Sequence, residues 1–503
     1  MSADAGPDVG RHTPTGSGDP ADYERQADAA IASRDPRAER ERAIPIGFEP
    51  ASRTRLGASA EAAPRDRDVA QGMAAMRALF GPPAARGFAV RYWDGSEERS
   101  TVVGDRGGPF TLVLHSPGAM RRAFLRPSEL ALGEALLRGD LEIDGNVEAA
   151  TALGDALRAR LASPWTLARA MRLLFALPRD GAPSRLRGRQ PGLSWRGPRH
   201  SRRRDRAAVR SHYDVSNEFF SLWLDREMVY SCGYFQTATD DIDAAQRAKL
   251  DLLCRKLRLQ PGERLLDIGC GWGGLIRHAA RHYGVDALGI TLSEEQAHEA
   301  RRRIAADGLG ARCRVEVRDY REFPADAVFD KVVSVGMFEH VGRSRLGEYF
   351  RMAARLTRPG GLFLNHGIVR AREHGATLLA LARRAIWRQG AFIQRYVFPD
   401  GELVPLDVAV RCGEQAGLET RDVESLREHY VLTLRQWVQR LERARAAATA
   451  LVGDQSYRVW RLYMSASAHA FASGRIGLAQ VLFARPDANG RARVPLTRAD
   501  IYS

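Results

Sequence analysis

Cysteine is scarce in this chain. Five occur in 503 residues (Cys232, Cys254, Cys270, Cys313 and Cys412), an odd number without metal-ligand spacing. That argues against a disulfide framework and against a bound metal, and it fits a reducing compartment. Long apolar runs are missing too: none approaches the roughly 18 residues of a membrane span. Met1 to Pro20 is polar and lacks the apolar stretch of a signal peptide. These absences predict a cytoplasmic protein whose contact with a membrane is peripheral, at the inner face. Large apolar residues are rare over 1–70, which reads as a disordered segment. No internal repeat is visible.

What is abundant is positive charge. Lys and Arg number 76 against 61 Asp and Glu, a formal charge of +15. Such a balance favours an acidic partner, either nucleic acid or an anionic membrane surface, although a GC-rich genome alone also enriches arginine. Ten arginines and two aspartates crowd into residues 179–206. This stretch, 178–206, reads as a linker, solvated or serving as an electrostatic anchor to anionic lipid. Only Trp195 interrupts it, so the interleaved aromatics of single-strand binding are nearly absent and nucleic acid is not expected as a partner.

Before the linker, residues 71–177 read as a small domain. Phe88 to Trp93 is a strand with Asp94-Gly95 as its turn, Thr111 to Leu114 a second strand, and Leu130 to Leu137 a helix. Gly139 to Gly145 turns the chain, and the acids here are expected in turns, without a catalytic cluster. After the linker, residues 207–503 alternate strand and helix. Strands are expected at 264–268, 287–291, 314–318, 331–335 and 361–365, with helices at 274–282, 294–306 and 346–357. That alternation predicts a parallel, doubly wound sheet.

The first of those strands runs into Asp267-Ile268-Gly269-Cys270-Gly271-Trp272-Gly273. A glycine turn between strand and helix lets a ligand approach the backbone closely. The G-x-G-x-G spacing, with an acid inside the preceding strand, is the usual pattern of Rossmann-like methyltransferases. Asp267 can bind the cofactor's α-amino group. The next strand ends at Thr291-Leu292-Ser293 with Gln296 beyond, placed for the ribose, and the following one at Asp319-Tyr320, placed for the adenine. A glycine turn without a nucleotide is the plain alternative, and Cys270 reads as a small space-filler.

Further segments become legible around this loop. They are His212 to Phe220 (HYDVSNEFF), Tyr230 to Phe235 (YSCGYF), Gly336 to Gly342 (GMFEHVG) and Phe392 to Pro399 (FIQRYVFP). In this order the chain resembles the cyclopropane-fatty-acyl-phospholipid synthase family, which includes the mycolic acid cyclopropane synthases, continuously from about 207 to 486. Residues 71–177 look like the N-terminal domain of the full-length bacterial synthases. The resemblance implies an α/β, Rossmann-like class I S-adenosylmethionine-dependent methyltransferase with lipid-binding lid insertions, preceded by a small α+β domain. S-adenosylmethionine would be bound by Tyr230, Ser231, the Leu265–Gly273 segment, Thr291 to Gln296, and Asp319-Tyr320. A bicarbonate ion serving as base would have Cys232, Glu339, His366, Ile368 and Tyr430 as ligands, with His366 directly after a strand. No resident metal is implied.

The implied reaction transfers a methyl carbon to the double bond of an unsaturated acyl chain, expected in a phospholipid. The alkene is a weak nucleophile, so alignment supplies much of the catalysis. A dry pocket with a carboxylate and aromatic faces can stabilise the resulting carbocation, and Glu339, Phe338, Tyr234 and Tyr430 are the candidates. Proton loss from the new methyl closes a cyclopropane; the other outcome is a methylene branch, the product of a 10-methylene-forming fatty acyl methyltransferase. A nucleic-acid methyltransferase would explain the charge, but no amino-methylation motif of the Asn-Pro-Pro-Tyr type is present. One departure stands out. Ser467, in Ser465 to Phe471, occupies the place of a cysteine common in the family. Either that cysteine is dispensable or the product differs. Each site residue also has a plain structural role open to it: His366 as a bonded core histidine, Tyr430 as packing, Cys232 as a small hydrophobe acting through its backbone. Residues 376–398 read as a helical lid that contacts lipid headgroups. The oligomeric state is not fixed by the sequence, and a homodimer is open.

Overall fold

The computed structural model describes residues 62–100, 110–179, 199–206, 216–371 and 390–502. These residues, Thr237–Thr239 apart, form one compact unit built on two sheets.

The first sheet is small. Its strands are β1 (Ala89–Arg91), β2 (Glu97–Glu98), β3 (Thr111–Leu114) and β4 (Leu141–Asp144), in the order β2-β1-β3-β4, with only β1 and β3 parallel. The Asp94-Gly95 turn forms as expected: Gly95 takes φ 89° and Tyr92 N–H donates to Ser96 O at 2.8 Å. Around the sheet lie α1 (Ala62–Phe80), α2 (Pro117–Leu125), α3 (Glu129–Arg138), α4 (Val147–Thr151), α5 (Leu153–Arg160) and α6 (Pro164–Phe175). Ser116, Ser128, Asn146 and Ser163 cap α2, α3, α4 and α6. Each such cap stabilises its helix by about 1 kcal/mol.

Two expectations for this region are corrected. Gly139 to Gly145 is more than a turn. Gly139 ends α3 in the left-handed region at φ 73°, after which Leu141 and Ile143 alternate into the core as β4 against β3. The acids are also not confined to turns: Glu129, Glu134, Glu148 and Asp155 lie on helices and bind the rest of the chain. Glu148 pairs with Arg435 through two contacts of 2.8 and 3.0 Å. Asp155 meets His469 at 3.1 Å, and Glu129 accepts the Gly390 N–H at 2.7 Å.

The second sheet has the order β10-β11-β9-β8-β5-β6-β7. Its strands are β5 (Arg264–Ile268), β6 (Asp286–Thr291), β7 (Cys313–Val317), β8 (Phe329–Val335), β9 (Thr357–Arg370), β10 (Glu419–Ser425) and β11 (Ile476–Ala484). β5 to β9 are parallel, and β11 runs antiparallel between β9 and β10. The sheet is therefore mixed at one side rather than wholly parallel. Helices α7 (Asn217–Ser221), α8 (Ile242–Lys256), α9 (Gly274–Tyr283), α10 (Glu294–Ala306), α11 (Leu346–Leu356), α12 (Ala391–Tyr396), α13 (Leu406–Gln415), α14 (Arg427–Arg443) and α15 (Arg445–Ala472) surround it. β5 has neighbours reached in opposite directions, β6 and β8. The crevice beyond its C-terminal end is where ligands bind in such sheets, and the glycine loop starts there.

His366 does not follow a strand. β9 continues to Arg370, and His366 lies within it opposite Gln480 of β11. The polar run Asn365-His366-Gly367 concealed a strand whose later half is held by an antiparallel partner more than a hundred residues on. The Arg-rich stretch is described only at 199–206, where it is no solvated tether: Arg204 makes a bidentate pair with Asp400 at 2.6 and 2.7 Å, and Arg321 donates to Asp205 at 3.0 Å. Residues 180–198, the His212–Val215 part of its motif and most of the expected lid (376–389) lie outside the described residues.

Candidate active site

The glycine loop is shaped by its backbone. Gly269, Gly271 and Gly273 take φ of 88°, 54° and 81°. Gly269 and Cys270 donate their N–H groups to Ile290 O at 2.9 and 3.0 Å, fastening the loop to β6. On β6, a Cβ at Gly289 would stand 2.7 Å from Cys270 Sγ. Cys270 thus fills the space that Gly289 leaves.

Beside the loop lies a cavity of about 160 Å³. Tyr230, Ser231, Asp267, Gly269, Cys270, Gly271, Thr291, Leu292, Gln296, Asp319 and Tyr320 all reach its wall. Leu265, Gly273 and Ser293 do not. Leu265 is packed in the core, Gly273 starts α9, and Ser293 caps α10 by accepting the Gln296 N–H. Thr291 Oγ1 donates to Gln296 Oε1 at 2.7 Å, which presents both at the strand end. Asp319 is already gripped by Arg321, at 2.8 and 2.6 Å, and the guanidinium holds its carboxyl below the usual range despite burial.

Asp267 is different. It is 3% exposed, faces the cavity, and has no hydrogen-bond partner among the described residues. Burial pushes its pKa up to about 7, opposed by the nearby Lys249 ammonium. A buried carboxylate of this kind fits a ligand that brings a positive amine. Sequence reasoning missed Lys249. It is fully buried on α8 and donates to Ser231 Oγ at 2.9 Å, and burial lowers its pKa. A lysine inside the apolar face of α8 was the available signal. Arg321 and Asp205, also on this wall, had no local signal.

Tyr230, Ser231, Gly336 and His340 also border a second cavity of about 860 Å³. Cys232, Glu339, His366, Ile368, Tyr430 and Ser467 all line it. Glu339 Oε1 accepts the Ile368 N–H at 2.7 Å, while Oε2 is buried without a partner. Burial raises the Glu339 pKa to about 7. His366 Nδ1 lies 3.2 Å from the Gln480 amide, and its Nε2 is buried without a partner. Burial drives the imidazole well below its ordinary pKa, so it is neutral. Glu339 Oε2 and His366 Nε2 are each a buried polar atom left free to meet a hydrogen-bonding guest in the cavity.

The aromatic wall differs from the expected one. Tyr430 faces the cavity and packs on Phe471 at 4.7 Å. Tyr230 and Tyr463 also face it, with their hydroxyls 3.4 Å apart. Phe338 and Tyr234 are absent from the wall: Phe338 packs over Gly367 of β9, and Tyr234 stacks on His429 at 4.8 Å. The Cys232 thiol is wholly buried and donates to Gly233 O at 3.2 Å, and burial raises its pKa far above the ordinary thiol range. It is no nucleophile. Cys254, Cys270 and Cys313 are buried as well, and only Cys412 is partly exposed.

An open α/β sheet of this strand order, with a glycine loop at its switch point, defines a Rossmann-like methyltransferase fold. Residues 200–481 match the family described as mycolic acid cyclopropane synthetase, and the chain belongs to that family of S-adenosylmethionine-dependent cyclopropane and fatty acid methyltransferases. Residues 75–153 match a domain of unknown function. The chain is 40% identical to a probable fatty acid methyltransferase of Pseudomonas putida, over 84% of this chain and 98% of that one. It is 36% identical to the cyclopropane-fatty-acyl-phospholipid synthase of Escherichia coli, over 58% of this chain and 71% of that one. The solved structure of mycolic acid cyclopropane synthase CmaA1 complexed with SAH and CTAB superposes with a TM-score of 0.52 at 34% identity, covering 55% of this chain and 97% of that one.

Proposed function

We propose that this protein transfers the methyl carbon of S-adenosylmethionine to the double bond of an unsaturated fatty acyl chain, in a phospholipid, and closes a cyclopropane. One observation carries the reading: a small cavity with an unpaired acid adjoins a large apolar one that holds Glu339 and His366. S-adenosylmethionine supplies an electrophilic methyl when bound. Asp267 would take its amino group, Thr291 and Gln296 its ribose, and Tyr320 its adenine. The apolar walls exclude water and align the alkene. Positive charge that develops on the acyl chain faces the Glu339 carboxylate and the rings of Tyr430 and Tyr463. A bicarbonate ion, the base in this reading, would be held by Glu339, His366 and Tyr430 and by the Cys232 and Ile368 segments, all on the cavity wall, and would take up the proton. Ile368 N–H already donates to Glu339, so it would act through that carboxylate.

The second reading is a methyl- or methylene-branching fatty acyl methyltransferase. The Pseudomonas putida relative is described as a probable fatty acid methyltransferase, and Ser467 on the cavity wall replaces the family's usual cysteine. In both outcomes the proton leaves the transferred methyl. For the ring it leaves directly, with closure onto the cation. For the methylene branch it leaves after a 1,2-hydride shift to the cationic carbon. A saturated methyl branch needs a hydride donor in addition. A methyltransferase of nucleic acid is disfavoured by a buried reaction cavity lined largely with hydrocarbon.

The lipid substrate is proposed to be met at an anionic membrane surface. No helix among the described residues is long and apolar enough to cross a membrane. α6, however, exposes Trp165 (87%) and Phe175 (57%) beside Arg169 and Arg172, the composition of an interfacial helix. The test is to incubate the protein with S-adenosylmethionine and vesicles of unsaturated phospholipid and to weigh the acyl chains by mass spectrometry. A gain of one CH₂ is expected, and fragmentation separates ring from branch. Unchanged acyl chains together with methylated RNA or DNA would overturn the proposal.

A further inference from the structure

The large cavity does not end among the catalytic groups. It passes Phe392 and Ile393 of α12 and the facing Leu132, Gly133 and Leu136 of α3. Gly133 is required at this passage, because a Cβ there would run into the Phe392 ring. Beyond it the wall is made by the N-terminal part of the chain. The floor is Phe80, Leu112, Phe124, Leu141, Ile143 and Ala150. All six are between 2 and 9% exposed and belong to the hydrophobic core around the small sheet.

A cavity inside a core leaves its lining without dispersion partners and lowers stability in proportion to its volume. This floor carries no charged or hydrogen-bonding side chain. The polar groups that the N-terminal part adds to the lining are all partnered. Glu129 accepts the Gly390 and Phe392 N–H groups at the passage, and Thr151 donates to Glu148 O. Asp155 pairs with Arg158 and Arg475 at the seam of α5 with the end of α15. A floor of hydrocarbon alone suits the methyl terminus of an alkyl chain; a carboxylate or phosphate there would be desolvated without compensation.

Building on the proposed reaction, we infer that the N-terminal domain is the tail subsite of the enzyme. It holds the methyl-terminal carbons of the acyl chain and sets how many lie beyond the reacting double bond. The domain of unknown function thereby acquires a role in substrate choice, and Phe80, Leu112, Phe124, Leu141, Ile143 and Ala150 become its specificity residues.

The full-length protein would be given mixed vesicles of palmitoleoyl and oleoyl phospholipid, which share the double-bond position and differ by two methylenes beyond it. Ala150→Phe fills the floor and lowers the oleoyl-to-palmitoleoyl rate ratio by up to about fifteenfold, the ratio that two buried methylenes correspond to. Phe124→Ala enlarges it and shifts preference toward a longer tail. A ratio unchanged in both variants, whatever their overall rates, overturns the inference. Wild-type protein gives a second readout that needs no substitution. A fatty acid with a photoreactive diazirine at its methyl end should crosslink to peptides containing Phe80, Leu112 or Phe124. Crosslinks confined to residues 216–502 would refute the tail subsite. Absence of methyl transfer by the wild type would instead remove the proposed reaction, and the crosslink would still decide the tail subsite.

Discussion

In the proposed reaction Glu339 is an acid whose environment decides when it can work. Burial favours its neutral form and raises its pKa to about 7, against one backbone donor at Ile368. Below that value the side chain is neutral and offers nothing to a developing cation; above it the carboxylate is present. kcat/KM should therefore rise with pH through about 7 and level off, as a pH–rate profile on vesicles would show. Glu339→Gln should lower kcat by about 10²–10³, the cost of removing one preorganised electrostatic group, and flatten that limb. Glu339 and Asp267 were legible in the sequence because each sits in a short local motif at a strand end. Lys249 and Gln480 were not. Their roles arise where α8 reaches Ser231 and where β11 lies beside β9, and no local spacing encodes either.

Among the elements, β9 does the most to assemble the reaction cavity. It places His366 and Ile368 on the wall and, at Gly367, makes room for Phe338, the residue that precedes Glu339. A methyl at Gly367 would displace that ring and pull Glu339 from the Ile368 N–H. Gly367→Ala should cost about 1–3 kcal/mol of stability, as overpacking does, and should lower kcat at least tenfold while S-adenosylhomocysteine still binds. Calorimetry beside turnover measurements checks both. The same strand shows why some elements could be read and others could not. β5, α10 and β3 begin and end where their own apolar pattern does. β4, β10, β11 and the second half of β9 are defined by pairing with distant partners, so polar or glycine-flanked sequences became strands unannounced.

At the scale of the whole molecule, both parts of the chain line one cavity, and α6 displays the aromatic and basic side chains suited to a lipid surface. Trp165→Ser with Phe175→Ser should weaken co-sedimentation with anionic vesicles at least tenfold, on the basis of about 1.5–3 kcal/mol for each large apolar side chain buried. Added salt should weaken the remaining attachment further, while turnover of a detergent-dispersed substrate is unchanged. An effect on dispersed substrate equal to that on vesicles would show that α6 supports folding instead. The burial of the cysteines has a consequence of a different kind. Four of the five thiols are enclosed, Cys232 against the reaction cavity and Cys270 in the cofactor loop, while only Cys412 is partly open. The native molecule therefore hides nearly all of its alkylating-reagent sites. The order in which those sites become reactive would report, position by position, which layer of the protein loosens first.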